Sequence, residues 1–301
     1  MNTPRLGSIG RDKGSLVNPS STRHKRWLAL SLLACIACAA HASTPAKLIR
    51  PKSAPCIQKP DVPDRWGGYN DQPVDACLGP IHYRIPANYF DDQMGPDFQG
   101  NFSLMVQWPQ LLPLPPGKGQ QRDMETVYKG IDIYPDYVDR VPIETLLENF
   151  IAIKAWLDPA YADEPSSRLD LRDKRPQRFG LTPYFVNREK FVAFWKRREQ
   201  IQGYKPDVRL ENEEDWYLAH DAQGRLSTLI QCDSHLKPDG LVIQGDRLLM
   251  DGSSTVAGCK HEFVIEEDKL NVSISYRRIF LQDWKRFEDR ARELLRQYRV
   301  R

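Results

Sequence analysis

The sequence predicts an α+β fold, antiparallel sheets with packed helices, and three patterns carry that expectation. Ile81, Tyr83 and Ile85, and then Phe102, Leu104, Val106 and Trp108, alternate with polar residues, the two-residue period of half-buried strands. Trp216-Tyr217-Leu218 and Leu226 to Cys232 flank Asp221-Ala222-Gln223-Gly224, a hairpin with Gly224 available for the positive-φ position. Ile143, Leu146, Leu147, Phe150, Ile151 and Leu157 recur at helical spacing, as do Leu281, Trp284, Phe287, Leu294, Leu295 and Tyr298, so each set makes an apolar stripe that packs across a sheet.

Taken in order, residues 43–75 carry Pro45, Pro51, Pro55, Pro60 and Pro63 and read as an extended leader without a helix. After the strands at 81–85 and 102–108, the run Trp108 to Gly117 holds four prolines. Proline lacks a ladder donor, so this run is a rim or loop rather than sheet interior. A third strand is expected from Val127 to Tyr134, and a helix over 141–157 with Pro142 in its first turn. The charged stretch 158–178 reads as a surface excursion or linker, and Phe191, Phe194 and Trp195 fit a short helix or a strand. Glu262 to Glu266 and Leu270 to Tyr276, joined at Asp268-Lys269, are two further strands before the final helix. The expected organisation is an N-terminal α+β unit over 76–200 and a C-terminal one over 201–301, which can fuse into one domain.

The first 42 residues have a different purpose. Arg23-His24-Lys25-Arg26 is followed by the apolar run Trp27 to Ala40 and by Ala40-His41-Ala42, the three parts of a cleaved export signal. Fourteen apolar residues make about 21 Å of helix, short of the ~30 Å hydrocarbon core. Leu32-Leu33-Ala34-Cys35 is the rival, a lipobox that would acylate Cys35 and anchor the chain to a membrane facing the periplasm. Cleavage after Ala42 removes six basic residues and one acid, so 37 Lys and Arg face 39 Asp and Glu and the formal charge falls from +3 to −2. The apparent basicity belongs to the leader, which leaves no electrostatic case for a nucleic-acid partner.

Cys56, Cys77, Cys232 and Cys259 stay with the exported part. Four thiols in an oxidising compartment imply two bridges. Of the three connectivities, 56–77 and 232–259 pair neighbours within each half of the chain and close loops of modest length. The alternative for the second pair is zinc, since Cys232-x-x-His235 and Cys259-x-His261 bring two thiols and two imidazoles together. That spacing matches no common zinc module, and export favours the disulfide.

Catalytic signatures are absent: the chain has no G-x-S-x-G, no H-E-x-x-H, no Walker loop and no G-x-G-x-x-G, and no cofactor is expected. His82 and His220 have no sequence neighbour that would make either a base. The carboxylates Asp91-Asp92 and Glu211, Glu213, Glu214 and Asp215 read as solvated loop charges. Beside Trp216 and Tyr217, however, the acids Glu213, Glu214 and Asp215 are a candidate binding patch for a basic protein partner.

Several short segments carry a family resemblance. Cys232, Cys259-Lys260-His261-Glu262-Phe263, Ser275-Tyr276-Arg277-Arg278 and Leu281-Gln282-Asp283-Trp284, with Ile85-Pro86-Ala87-Asn88-Tyr89-Phe90 and Val106-Gln107-Trp108-Pro109, resemble exported immunity proteins encoded beside type VI secretion effectors. The resemblance implies a periplasmic binding protein that occludes a secreted toxin, and it carries no catalytic residues. The reading from another class is an envelope hydrolase acting on cell wall or lipid. Intact-mass analysis of the envelope protein should find a chain beginning at Ser43; a diacylglyceryl group on Cys35 would instead make it a lipoprotein.

Overall fold

A computed structural model describes residues 56, 69–96, 101–152, 161–203, 205 and 207–301. The segment read as an export signal, Cys35 and most of the proline-rich segment read as a leader lie outside the described residues. The strands are β1 (Pro73–Leu78), β2 (Ile81–Pro86), β3 (Leu104–Gln107), β4 (Gly130–Tyr137), β5 (Asp173–Lys174), β6 (Thr182–Phe185), β7 (Glu214–His220), β8 (Leu226–Asp233), β9 (Leu241–Gln244), β10 (Arg247–Met250), β11 (Gly258–Ile265) and β12 (Leu270–Arg277). The α-helices are α1 (Met124–Tyr128), α2 (Leu146–Ile151), α3 (Arg188–Gln202) and α4 (Trp284–Gln297). Eight strands form one antiparallel sheet in the order β3-β4-β12-β11-β8-β7-β6-β5, and the hairpins β1–β2 and β9–β10 stand apart from it. The α+β expectation therefore holds. Because β4 pairs with β12, strands from both expected units lie in the same sheet.

Alternation along the central strands divides the sheet's two faces. Ile131 and Ile133 of β4, Leu270, Val272, Ile274 and Tyr276 of β12, Phe263 and Ile265 of β11, Ile230 of β8 and Tyr217 of β7 join the main core. Trp284, Phe287, Ala291, Leu294 and Leu295 of α4 close that core from above, so the final helix packs as its apolar stripe predicts. The opposite face builds a second cluster from Trp216, Leu218, Leu226 and Leu229 with Leu147 of α2. Among the described residues no helix is long and apolar enough to cross a membrane.

Local capping explains three departures from the sequence reading. The expected strand from Val127 begins only at Gly130, because the Asp123 carboxylate accepts the Thr126 N–H at 2.8 Å and starts α1 over residues 124–128. The helix expected over 141–157 is a 3-10 turn, Ile143–Thr145, followed by α2, which stops at Ile151 where Ala152 turns extended at φ −71° and ψ 150°. Leu157, its expected last apolar residue, lies outside the described residues. The ambiguous segment at 191–195 is helical, since Asn187 accepts the Lys190 N–H at 2.9 Å and Gly203 ends α3 at φ 75°.

The proline-rich run is a turn held from outside. Arg286 donates to Pro109 O at 2.9 Å and Arg290 to Leu111 O at 3.1 Å, so α4 grips it. The buried Gln93 carboxamide accepts from Gly117 N at 2.8 Å and Gly119 N at 3.1 Å, and donates to Pro115 O at 3.2 Å.

One charged group sits inside the main core. On α4, Glu288 Oε1 accepts from Arg292 at 2.8 and 3.0 Å, and its Oε2 accepts from Thr228 at 3.0 Å and lies 3.4 Å from His261 Nε2. Burial alone would raise the Glu288 carboxyl, but His261, Arg292 and Lys285 outweigh it and hold the group at about 2. Burial lowers the fully enclosed His261 imidazole below its ordinary 6.5, which keeps the ring neutral near pH 7. Both shifts place stability on the neutral side: the Glu288 contribution is complete above 4.5 and fades as pH falls towards 2, and charging His261 opposes folding. The urea midpoint should therefore fall between pH 6 and pH 3. Glu288→Gln should cost about 2–3 kcal/mol at pH 7 and flatten that dependence; an equally steep fall in the variant contradicts the assignment.

Candidate functional site

The acidic and aromatic run expected to face a partner occupies β7, where alternation splits it. Trp216 and Tyr217 are both buried, the first in the cluster under α2 and the second in the main core. Neither ring is offered to solvent. The Arg172 guanidinium lies 3.9 Å over the Trp216 ring and donates to Glu214 O at 2.7 Å, which closes that side further. Asp215 is buried as well, and its carboxylate accepts the His235 backbone N–H at 2.5 Å and contacts His235 Nδ1 at 2.8 Å. Burial pushes the Asp215 carboxyl up against those His235 bonds. Glu213 is half-buried and Glu214 exposed, so carboxylates alone represent the run at the surface.

The fold does bring this run to the cysteine and histidine cluster. Asp215 stands opposite Cys232 on β8, and Cys232 opposite Cys259 on β11. The two cysteines form a disulfide, as do Cys56 and Cys77. Oxidised sulfurs are not zinc ligands, since the metal needs thiolates. The two histidines also go separate ways: His235 stacks on Phe185 with ring centroids 4.1 Å apart, while His261 lies buried against Glu288. His82 binds the Asp75 carboxylate at 2.8 Å and His220 ends β7 on the surface. Among the described residues, no group of three or more His, Cys, Asp or Glu could hold a metal ion.

Between β8 and β11 the chain leaves the sheet for residues 234–257, and the Cys232–Cys259 bridge closes the base of that excursion. Arg278, immediately after β12, holds the same base. Its guanidinium donates to Asp239 Oδ1 at 2.7 Å, Asp233 O at 2.9 Å, Lys237 O at 2.6 Å and Ser234 O. Four acceptors converge on one planar donor, a use for which lysine has no substitute geometry. Gly240 completes the base at φ 78°, where an added Cβ would lie 2.1 Å from Thr255 O. Further out, β9 and β10 pair as a hairpin that leans on α1: Glu125 accepts from Leu248 N at 3.1 Å and pairs with Arg247 at 3.3 Å. Lys129 first, and then the Leu248 N–H, hold the Glu125 carboxyl at about 2. Nothing in the local sequence announces Arg278 or Glu125 as braces, because their partners lie about 40 and 120 residues away.

The described residues also line two concavities. A cleft of about 310 Å³ is lined by Asp91, Asp92, Asp136, Phe102 and Tyr134. Asp132 lies on the same face of β4 as Tyr134 and Asp136, and burial, then Asp91, raise its carboxyl to about 6. A second groove, of about 440 Å³, runs beside the last turns of α4 between acids and the arginines Arg292, Arg296 and Arg299. Neither has a histidine among its lining residues, and Ser103 is the serine that lines the first.

No family model and no curated protein matches this sequence. Among solved structures, the chain is similar to Smlt3025, an immunity protein of the Stenotrophomonas maltophilia type IV secretion system, at 38 % identity and a TM-score of 0.71. That match covers 77 % of this chain and 95 % of the other. A second match is the Neisseria meningitidis iron-regulated outer membrane lipoprotein FrpD, at 11 % identity and a TM-score of 0.41, covering 76 % of this chain and 92 % of that one. With more than a third of residues identical across nearly all of Smlt3025, the chain belongs to the same family as that immunity protein.

Proposed function

We propose that this protein is a periplasmic immunity protein that binds a secreted antibacterial effector and occludes its surface. The observation that carries the reading is the relation to Smlt3025. Three features of the chain agree with it: an export signal at 23–42, two disulfides in the exported part, and no recognisable catalytic motif. The resemblance within the sequence pointed to effectors of type VI systems, whereas Smlt3025 serves a type IV system. The type IV assignment is the better supported, because it rests on most of the chain rather than on short segments.

Occlusion makes a physical demand. A protector must bind before the toxin acts, and every loop ordered on binding subtracts from affinity. The Cys232–Cys259 bridge and the Arg278 brace remove that loss at one end of the sheet. An envelope hydrolase is the second reading, favoured only by the cleft lined by Asp91, Asp92 and Asp136.

Deleting the gene in a strain with an active secretion system should make cells sensitive to their siblings, and the mature chain should copurify with the effector encoded beside it. Expression of residues 43–301 without the signal should fail to protect. Full resistance of the deletion strain, together with turnover of a wall or lipid substrate by the purified protein, would replace this reading with the hydrolase.

A further inference from the structure

Exposed apolar side chains are not spread evenly over this protein. Among the described residues fifteen large ones are exposed, and six belong to α1 and the 234–257 excursion: Met124, Val127, Leu236, Val242, Leu249 and Met250, each 37–60 % exposed. Two segments that make up a small part of the chain thus hold over a third of its exposed apolar bulk, and they already touch through Glu125.

The β9–β10 hairpin shows why the concentration is not accidental. Leu241 and Leu248 face inward and join the main core, which satisfies the hairpin's own need for burial. The residues alternating with them point the other way, and there Val242 and Leu249 are direct cross-strand partners, 44 % and 38 % exposed. A hairpin whose inner face is already anchored needs a polar outer face for solubility, and this one has an apolar pair. Contiguous apolar surface of this kind marks interaction sites on soluble proteins.

The charges on these same segments state what kind of partner fits. Asp123 at the start of α1, Asp246 in the β9–β10 turn and Asp251 after β10 are all exposed, and none forms an ion pair among the described residues. The one cation on the hairpin, Arg247, is engaged by Glu125. The segments therefore offer an apolar centre with uncompensated negative charge beside it. Asp123 caps α1 and Asp251 accepts the Ser253 N–H in its own turn, so both carboxylates are held by local bonds that leave their charge without a cation.

We propose that the outer face of the β9–β10 hairpin, with Met124 and Val127 of α1, is the surface that docks the effector, onto an apolar patch of the toxin bordered by lysine and arginine. This rests on the immunity reading and names the surface that would carry it out. Val242 and Leu249 are the anchors, the disulfide and Arg278 fix the arm that presents them, and Asp123, Asp246 and Asp251 steer the basic partner during encounter.

The test uses the mature chain and the effector encoded beside its gene, measured by titration calorimetry and stopped-flow association. Val242→Arg combined with Leu249→Arg should weaken binding by about 100-fold or more with the melting temperature unchanged, because both side chains face solvent in the free protein. Replacing Asp123, Asp246 and Asp251 with Asn should slow association about tenfold at low salt, a difference that high salt erases. Val192→Arg, on the exposed face of α3, is the control and should change neither quantity. If the wild-type chain binds the effector and the arginine pair binds it as well as wild type, the docking surface is elsewhere and the immunity reading stands. Absence of wild-type binding removes both. A wild-type dimer in sedimentation that Val242→Arg dissociates would assign the patch to a second copy of this chain and overturn the proposal.

Discussion

Antiparallel pairing between β4 and β12, from Leu270 opposite Tyr137 to Ser275 opposite Asp132, is the contact on which the rest of the molecule depends. The two strands lie far apart in sequence, yet their register places Ile131 and Ile133 beside Val272 and Ile274 on one face. That continuous face is what α4 covers. Once α4 is seated, it reaches back to the first half of the chain: Asp283 accepts the Trp108 indole N–H at 3.0 Å, and Arg286 and Arg290 hold the proline-rich turn. A slip of one residue between β4 and β12 would turn Ile131 and Ile133 to the opposite face and strip the helix of its floor.

Elements whose information is local were legible in the sequence. The hairpin β7–β8, the strands β11 and β12 and the apolar stripe of α4 announce themselves by period, and Gly224 takes φ 79° in the hairpin turn. The first turn of α1 was missed because the apolar residues near it, Val127 with Ile131 and Ile133, imitate a strand, and the deciding signal is one capping carboxylate at Asp123. Trp216 and Tyr217 show a different limit. Next to four acids they read as surface, but a strand sends neighbours to opposite faces, and here both faces are covered. The groups that brace the molecule, Gln93, Arg278 and Glu288, were not legible at all. Each bonds partners distant in the chain, so its role exists only after folding.

Those braces explain how a protein without a catalytic signature can still have a demanding structure. A buried carboxylate and a guanidinium on three backbone carbonyls specify positions more than they add stability, because desolvation offsets much of what charged groups gain, whereas the two disulfides stabilise by restricting the unfolded chain. Two of them, the Cys232–Cys259 bridge and Arg278, stand at the end of the sheet where the 234–257 excursion leaves it. Under the proposed binding role a rigid base there would help, since affinity depends on how little must be ordered when partners meet. Kinship with the immunity protein Smlt3025 and the proposed binding role both fit a surface held fixed in this way.

The central claim is that the excursion is preformed in the free protein. Amide hydrogen exchange on the free mature chain, followed by mass spectrometry of peptides spanning 233–258, tests it most directly. The account predicts that the paired amides of β9 and β10 and the base bonded through Gly258 and Ala257 exchange slowly, on the timescale of the edge strands of the large sheet. Fast exchange throughout 233–258 in the free, disulfide-intact protein, with protection gained only when the effector is added, would show that the arm folds on binding and would contradict the account.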